Sequence, residues 1–232
     1  MSDDAIVGSL RELAEVLQTQ RTLGAALASI AEAATVSVPG CDAASIAISI
    51  AGRPSTAAIT ARVALELDLV QYDHDDGPCL TAFRSMEALR IDLVEQEADF
   101  PHFVRAARQR EIRAVLSVPA KWGEEVVGTL NLYSRAAPFD ETAMSIASVL
   151  GAQVAIAISR SPEFVAARAV VEEAQRNADD SADINLATGL LMVNEACTAE
   201  QANGLLEQAA VHDERTILQI AHRIIEQHRS SQ

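Results

Sequence analysis

EEVVGTLNLYSRAAPFDETAMSIASVLGAQVAIAI, residues 124–158, joins a strand pattern to a helix pattern. Apolar and polar side chains lie on opposite sides of the predicted strand, because successive strand residues point to opposite faces. The apolar side holds Val126, Leu130 and Leu132, and the other side holds Thr129, Asn131 and Tyr133. After the strand, Asp140 is a good helix cap, and Phe139 and Met144 have the spacing of a hydrophobic staple. The stretch therefore predicts a strand followed by an Ala-rich helix.

The chain before this stretch contains further helix and strand patterns. Residues 4–38 carry apolar side chains at helical spacing, and Pro39-Gly40 ends the run. Strands are predicted at residues 46–50, 56–62, 89–93 and 113–120, a helix at residues 99–112, and turns at residues 52–55 and 121–124. This order predicts an α+β domain, in which helices pack on an antiparallel sheet.

The chain after this stretch is helical in pattern. Ser161-Pro162 breaks or restarts the helix, since proline fits the first helical turn. A seam of apolar residues then recurs at steps of three and four, which is typical either of a short coiled coil or of a helix packed on its own domain. The seam comprises Phe164, Ala167, Val171, Ala174 and Ala178.

Three short helices end the chain, and helices of this length must pack together to be stable. Thr198 and Gln201 form a capping box for the second helix, and Asp213 is a candidate cap for the third. The apolar face predicted for the second helix comprises Ala202, Leu205, Leu206 and Ala209. We therefore expect a domain at residues 1–160, a helical linker at residues 161–180 and a three-helix bundle at residues 181–232.

The composition is that of an acidic protein with enough apolar residues for real cores. Hydrophobic residues make up 49% of the chain, and its formal net charge is −15. Such a charge repels phosphate backbones, so a nucleic-acid contact needs a local basic patch. Three separated cysteines without a CxxC motif favour a reducing compartment. We expect neither a signal peptide nor a membrane span, and a cytoplasmic protein.

The sequence carries no recognisable catalytic motif. G-x-S-x-G, Walker A, HExxH and the Rossmann glycine loop are absent, so we expect no enzyme activity. The stretch YDHDDGPCL, residues 72–80, offers carboxylates and a histidine, but its spacing does not match a calcium loop. We interpret it as an acidic loop at a helix start, and we predict no metal site.

Several residues on or beside the strands are candidates for orienting a small ligand. They are Ser117, Trp122, Asn131 and Tyr133. These side chains either line a pocket on the inner face of the sheet or face solvent. Cys79 follows Gly77-Pro78 at a predicted helix start, and it is either a reactive or ligand-contacting thiol or a buried packing residue.

Three segments together resemble a GAF domain over roughly residues 20–160. They are GPCLTAF (77–83), IRAVLSVPA (112–120) and residues 124–158. GAF domains are sensor modules that often hold a small ligand, such as a cyclic nucleotide or a tetrapyrrole, between the sheet and its covering loops. The resemblance implies a GAF-like sensor at residues 1–160 and allows a small-molecule ligand, whose identity the sequence does not specify.

The tail resembles an ANTAR domain over about residues 170–228. The matching segments are the IxxAxGLLM pattern at residues 184–192, CTAEQAxxLLxxAA at residues 197–210 and RTILQIAHRII at residues 215–225. ANTAR proteins are transcription antiterminators, which bind tandem stem-loops in nascent RNA and so keep a terminator hairpin from forming. The resemblance therefore implies an RNA stem-loop as the partner.

Most of the basic residues that this resemblance implies are missing. The family commonly has arginine or lysine at the positions of Ala182, Thr188, Asn194 and Gln208, and Asn-Arg-Lys in place of Glu214-Arg215-Thr216. From residue 163 onward the chain has 12 acidic and 5 basic residues. RNA affinity depends largely on phosphate neutralisation by lysine and arginine. The candidates for RNA contact are therefore Arg215, which keeps the family's basic character, and Arg223, which belongs either to a weaker basic edge or to an ordinary solvated helix face.

Three functions are compatible with these patterns. The first is a signal-responsive regulator of transcription antitermination, which binds RNA stem-loops and is controlled by the GAF-like domain or by dimerisation. In the second, the tail has lost RNA binding and mediates dimerisation or protein interaction, as a homodimer or as a heterodimer with related ANTAR proteins. The third is a ligand sensor with a merely stabilising tail. None of them involves DNA or a membrane.

Overall fold

The computed structural model describes residues 22–50, 52–93 and 99–230. The chain divides into two compact units, Met1–Arg168 (unit 1) and Ala169–Gln232 (unit 2). The three-part division at residues 160 and 180 stays a prediction. The part of the first predicted helix that covers residues 4–21 lies outside the described residues.

Within the described part of unit 1, five strands form one antiparallel sheet in the order β2-β1-β5-β4-β3. The strands are β1 Ala43–Ile50, β2 Arg53–Ile59, β3 Leu89–Asp92, β4 Ala114–Trp122 and β5 Glu125–Ser134. The predicted α+β fold with an antiparallel sheet is thereby confirmed. The strand predicted around residues 124–134 is the central one, so it has hydrogen-bonded neighbours on both sides.

Helices cover both faces of this sheet. They are α1 Leu23–Ser37, α2 Arg62–His74, α3 Pro78–Ser85, α4 Pro101–Gln109 and α5 Glu141–Arg160. On one face, α1 and α5 pack on the strands through aliphatic residues such as Ile30 and Leu130. On the other face, α2, α3 and α4 cover the strands, and a second core includes Leu67 and Phe103.

The predicted caps of the long helix α5 are confirmed. The carboxylate of Asp140 accepts a hydrogen bond from the backbone N–H of Ala143 at 2.8 Å. Phe139 is buried, and Met144 packs at the edge of the same core. Ser161 then ends α5, and its hydroxyl accepts from the N–H of Phe164 at the start of the next helix. Local sequence signals therefore determine both ends of α5.

Two predicted turns are shorter in the structure than in the sequence analysis. Strand β2 begins at Arg53 instead of residue 56, because Ile50 pairs with Arg53 across a tight turn at Gly52, which has φ 73°. Pro54 is tolerated there because β2 is an edge strand. Strand β4 likewise extends through Trp122, which pairs with Glu125.

Strand β5 is buried on both faces, unlike a strand with one solvated side. Leu130 and Leu132 contact the α1–α5 side, and Tyr133 belongs to the core on the α2–α4 side. A β-bulge shifts the register, since Ala120 pairs with Gly128 whereas the next residue pairs with Val126. The intervening residue, Val127, therefore joins the apolar cluster in place of the predicted Val126.

Helix α5 is the one helix of the described residues that is long and apolar enough to cross a membrane. The sequence-based expectation of no membrane span overlooked residues 142–159, which carry no charge. Eight residues of α5 are buried within the protein, and they pack on the sheet. The apolar character of α5 is thus explained by its place in the core of unit 1.

Unit 2 contains a bundle formed by the end of α6 (Pro162–Asn194) with α7 (Ala199–His212) and α8 (Ile217–Ser230). Its small core includes Ala187, Leu206 and Ile220, and it contains no aromatic side chain. The predicted capping box of Thr198 and Gln201 is confirmed at the start of α7. Three short helices thus share one core, as their lengths require.

Several details predicted for the tail are wrong. Asp213 ends α7 instead of capping α8, whose first turn is bound by the hydroxyl of Thr216. Leu205 is 40% exposed, because the buried face of α7 turns toward Ala210. The short coiled coil proposed for α6 stays a prediction: Phe164 lies in the core of unit 1, and Ala174 and Ala178 are exposed in the single chain.

The approach of β5 to β1 and α5 depends on Gly128. A Cβ atom there would lie 2.4 Å from the carbonyl oxygen of Ala47 and 2.9 Å from Cδ1 of Ile158. We predict that Gly128→Ala lowers the free energy of unfolding by about 1–3 kcal/mol, because strand backbone must move. Urea unfolding followed by the fluorescence of Trp122 measures this. Gly24→Ala is the control, since a Cβ there meets no atom within 4 Å, and an equal loss in both variants would contradict the prediction.

Candidate functional site

A fully buried carboxylate, Asp68, lies between α2 and the sheet. Its Oδ1 accepts hydrogen bonds from Tyr133 at 2.7 Å, Ser45 at 3.0 Å and Asn131 at 3.4 Å. Its Oδ2 accepts from Thr56 at 2.8 Å. One side chain of α2 is therefore tied to β1, β2 and β5, and we call these five residues the Asp68 cluster.

Burial governs the ionisation of this cluster. Removal from water raises the pKa of Asp68 to about 6, although its four hydrogen bonds act in the opposite direction. Burial and the nearby charge of Asp68 also raise the pKa of Tyr133 well above its ordinary value. The Tyr133 hydroxyl therefore donates a hydrogen bond to Asp68 at neutral pH. The carboxyl group of Asp68, between the strands and α2, is either protonated and neutral or ionised with one negative charge.

Of the predicted ligand residues, Asn131 and Tyr133 belong to this cluster, and Ser117 lies beside it. Ser117 and Asn131 are register partners on β4 and β5, and Tyr133 follows on β5. All three are fully buried, so the alternative that they face solvent is wrong. The reason is that α2, α3 and α4 cover this face of the sheet. Their role in ligand binding stays a prediction.

Two buried oxygen atoms on this face have no hydrogen-bond partner among the described residues. They are Oγ of Ser117 and Oδ1 of Asn131. Buried polar atoms are usually satisfied, and leaving one unpaired costs about 1–3 kcal/mol. These two atoms are therefore able to accept hydrogen bonds from a group that is not part of the protein.

Cys79 lies in the first turn of α3, against the same strands. Its backbone N–H donates to Oε1 of the buried Gln71 at 2.7 Å. Burial and, to a lesser extent, the charge of Asp68 together raise the pKa of its thiol to about 12. The buried packing interpretation therefore fits Cys79 in this structure, because a neutral buried thiol is a poor nucleophile.

The space around Cys79 is small in this structure. Cys79, Leu80 and Phe83 of α3, with Thr129 of β5, line a cavity of about 10 Å³. A cavity of this size holds about one water molecule. A ligand larger than water therefore does not fit this cavity as the structure has it.

Trp122 is separate from the other predicted ligand residues. It is the last residue of β4 and is 48% exposed. It lies five positions along β4 from Ser117, and at the rise of a strand this corresponds to a distance of about 16 Å. The structure thus brings together Cys79, Ser117, Asn131 and Tyr133 and leaves Trp122 at the hairpin turn.

The acidic stretch at residues 72–80 forms the connection between α2 and α3. Asp75 ends α2 with φ 49° and pairs with Arg84, and the ring of His74 stacks on that of His102. Within the described ranges, no group of three or more His, Cys, Asp or Glu side chains could hold a metal ion. Asp75 thus serves as the C-cap of α2 and as the ion-pair partner of Arg84.

Sequence reasoning missed Asp68 and Gln71. Both are polar, and they lie between the strand predicted at residues 56–62 and the acidic stretch at residues 72–80. Their spacing from Ala64 and Leu67 places all four on the buried face of α2. That helical spacing is the sequence signal for the burial of Asp68 and Gln71. The polar partners of Asp68 on β1 and β2 come from distant segments, so the spacing does not identify them.

Several polar side chains of unit 2 form ion pairs and hydrogen bonds within the unit. Arg223 pairs with Asp213, and His222 contacts Asp183 at 2.8 Å. The hydroxyl of Thr188 is nearly buried and donates to Asn203 at 2.8 Å. Arg215 is exposed in the turn before α8. Of the two predicted RNA contacts, Arg215 is the one available to a partner without breaking an ion pair.

The structure thus consists of an antiparallel sheet enclosed by helices, followed by a small helical bundle. The GAF domain family model matches residues 9–158, and the ANTAR domain model matches residues 172–225. The chain belongs to the GAF domain family and carries an ANTAR domain in its tail. Both resemblances inferred from the sequence are confirmed. The curated proteins contain no match to the chain.

Solved structures show the same fold in unit 1. The GAF domain of the Acinetobacter phosphoenolpyruvate-protein phosphotransferase has a TM-score of 0.53 and 16% identity, covering 68% of this chain and 95% of its own. The free methionine-R-sulfoxide reductase of Neisseria meningitidis, solved with its substrate, has a TM-score of 0.54 and 17% identity, covering 73% and 95%. At these identities the likeness shows the fold alone.

The Asp68 cluster predicts a specific pH dependence. Because the pKa of Asp68 is raised to about 6 on folding, its contribution to stability is fully present below about pH 4 and is lost as the pH rises through about 6. Asp68→Asn removes this term and keeps an acceptor for Tyr133. We predict that the stability of the variant relative to wild type rises by about 2.5 kcal/mol from pH 4 to pH 7.

Urea unfolding across this pH range measures the effect. Asp73→Asn, on the exposed side of the same helix, is the control and keeps the wild-type profile. A parallel pH profile for wild type and Asp68→Asn would show that the buried carboxylate does not titrate in this range.

Proposed function

We propose that the chain is a signal-responsive regulator of transcription antitermination, which binds RNA stem-loops through its ANTAR domain. The observation that carries the proposal is the joint presence of a GAF domain at residues 9–158 and an ANTAR domain at residues 172–225. GAF domains are sensor modules, and ANTAR domains generally bind RNA. Neither domain is catalytic in this role, so the proposal includes no enzyme activity.

The proposed signal acts on the α3 side of the sheet in unit 1. The two unpaired oxygens of Ser117 and Asn131 support this, because they offer acceptors to a ligand with N–H or O–H donors. Cys79 and Tyr133 border the same region. Binding there requires displacement of α3, since the adjoining cavity holds about one water molecule. The small molecule itself is not specified by these contacts.

Arg215 is the proposed RNA contact. Its side chain is exposed, and it lies in the turn immediately before α8. The first N–H groups of a helix and an arginine next to them favour an anion such as a phosphate. Arg223 contributes less in this proposal, because its charge is already matched by Asp213.

A second candidate function has a specific observation in its favour. Unit 2 has 11 acidic and 4 basic residues, and this charge of −7 opposes phosphate binding. At the position of Thr188, where the family commonly has lysine, a buried hydrogen bond now joins α6 to α7. The tail as a dimerisation or protein-interaction module, alone or with related ANTAR proteins, is therefore the alternative.

We propose the cytoplasm as the location of the protein for either function. Dimerisation through the tail is part of both proposals. The exposed residues at positions 172–179 of α6 are mostly polar, so this segment offers a partner helix charges and small side chains more than an apolar seam.

Binding to a tandem stem-loop RNA across a salt series tests the first proposal. We predict selective binding over a scrambled RNA, with an affinity that falls as salt rises. Arg215→Ala should weaken binding about tenfold and reduce the salt slope by about one, because one phosphate contact is lost. Arg176→Ala, at an exposed arginine of α6, is the matched control and should have a smaller effect.

A gain-of-binding variant separates the two candidate functions. Ala182→Arg with Asn194→Arg adds two charges at exposed positions without touching the buried Thr188. RNA binding by this variant but not by wild type would favour the protein-interaction module. Equal binding of stem-loop and scrambled RNA by wild type would contradict the antitermination proposal.

A further inference from the structure

A surface groove lies where α7 meets α8 in unit 2. It has a volume of about 470 Å³, which is within the usual range for ligand and peptide sites. Ala210, Val211 and Ile217 give it apolar walls, and Glu207, Glu214 and Arg215 supply its charges. The proposed function in RNA binding uses only Arg215 of this set.

Two apolar side chains of the groove are exposed to water. Val211 is 80% exposed, and Ile217 at the start of α8 is partly exposed as well. Covering such side chains releases about 25 cal/mol for each Å² of apolar surface removed from water. An occupant that carries an aliphatic side chain therefore gains free energy from this groove.

The charged part of the groove selects the sign of the occupant. Two carboxylates, Glu207 and Glu214, outnumber the single guanidinium of Arg215. The neighbouring Asp213 is already paired with Arg223, so it leaves the excess unchanged. The net charge of −7 over residues 169–232 adds to this local potential. The excess of carboxylates therefore favours a cationic occupant over an anionic one.

Unit 2 also lacks a feature common in single-stranded RNA recognition. Residues 169–232 contain no Phe, Tyr or Trp, so His and Arg are the side chains left there for stacking on a base. The aliphatic walls of the groove suit a protein side chain better than a nucleotide. Charge and shape thus favour the same class of partner.

The walls of the groove are held in place before a partner arrives. The backbone N–H of Arg215 donates to the carbonyl of Ala210 at 3.0 Å. Thr216 and Gln219 exchange hydrogen bonds of 3.0 and 3.2 Å at the start of α8. Because these bonds fix the turn, little ordering cost arises on binding.

We infer that the α7–α8 groove docks a segment of a partner protein in which a lysine or arginine adjoins an aliphatic side chain. The inference goes beyond RNA binding and does not depend on it. The occupied groove covers Arg215, so protein docking and RNA contact at this turn exclude each other.

The test uses the full chain and a fluorescein-labelled dodecapeptide that alternates Leu-Ala with Lys-Arg pairs. Fluorescence anisotropy is measured at about 150 mM salt, where long-range attraction is screened beyond about 8 Å. We expect Val211→Ser and Glu214→Gln each to weaken binding about fivefold. Val193→Ser and Glu195→Gln are matched controls outside the groove, because Val193 is also 80% exposed and Glu195 is exposed. We expect both to bind as wild type.

Four results would overturn the inference. The groove variants could bind the peptide as tightly as wild type, or a peptide with Ser in place of Leu could bind equally well, which would leave only nonspecific charge attraction. Val211→Ser could impair stem-loop RNA binding while leaving peptide binding intact, which would make RNA the occupant. It could also dissociate a dimer of the chain with peptide binding unchanged, which would make a second copy the occupant.

Discussion

The burial of Asp68 is the constraint on which unit 1 depends. A sheet covered by helices on both faces has no solvent for its polar side chains, so they must satisfy one another. The carboxylate does this for Ser45, Thr56, Asn131 and Tyr133, and it ties α2 to three strands in the process. Its pKa of about 6 shows that burial outweighs these bonds. The same polar face then carries two unpaired oxygens beneath α3, which are the main structural support for a ligand-responsive state.

The candidate sites of the two units differ in their exposure to solvent. In unit 1 the potential site is buried, and in the proposed mechanism a signal reaches Ser117 or Asn131 by displacing α3. In unit 2 the potential site is exposed, and the ion pair of Arg223 with Asp213 leaves Arg215 as the accessible cation in the turn. The proposed sensing step in unit 1 and the proposed output step in unit 2 therefore involve separate groups of residues. The acidic character of unit 2 opposes the binding of RNA and favours a basic protein partner. Both partners are therefore proposed for this unit.

The fold was predictable where the signal is local. The alternation in residues 124–134 and the Asp140 cap gave β5 and α5 directly, because strand faces and helix caps depend on neighbouring residues. The Asp68 cluster was not predictable, since its members come from α2, β1, β2 and β5 and meet only in the folded sheet. Burial of the predicted polar face was missed for the same reason: alternation identifies two faces, but only the packing of α2, α3 and α4 shows that both are covered.

The most direct test of the account is in vitro transcription through a terminator preceded by tandem stem-loops. The purified protein is added, and the fraction of transcripts that read through the terminator is measured. The account predicts that wild type raises readthrough in a concentration-dependent way and that Arg215→Ala raises it much less. An unchanged fraction of readthrough at protein concentrations that saturate stem-loop binding would contradict a role in antitermination.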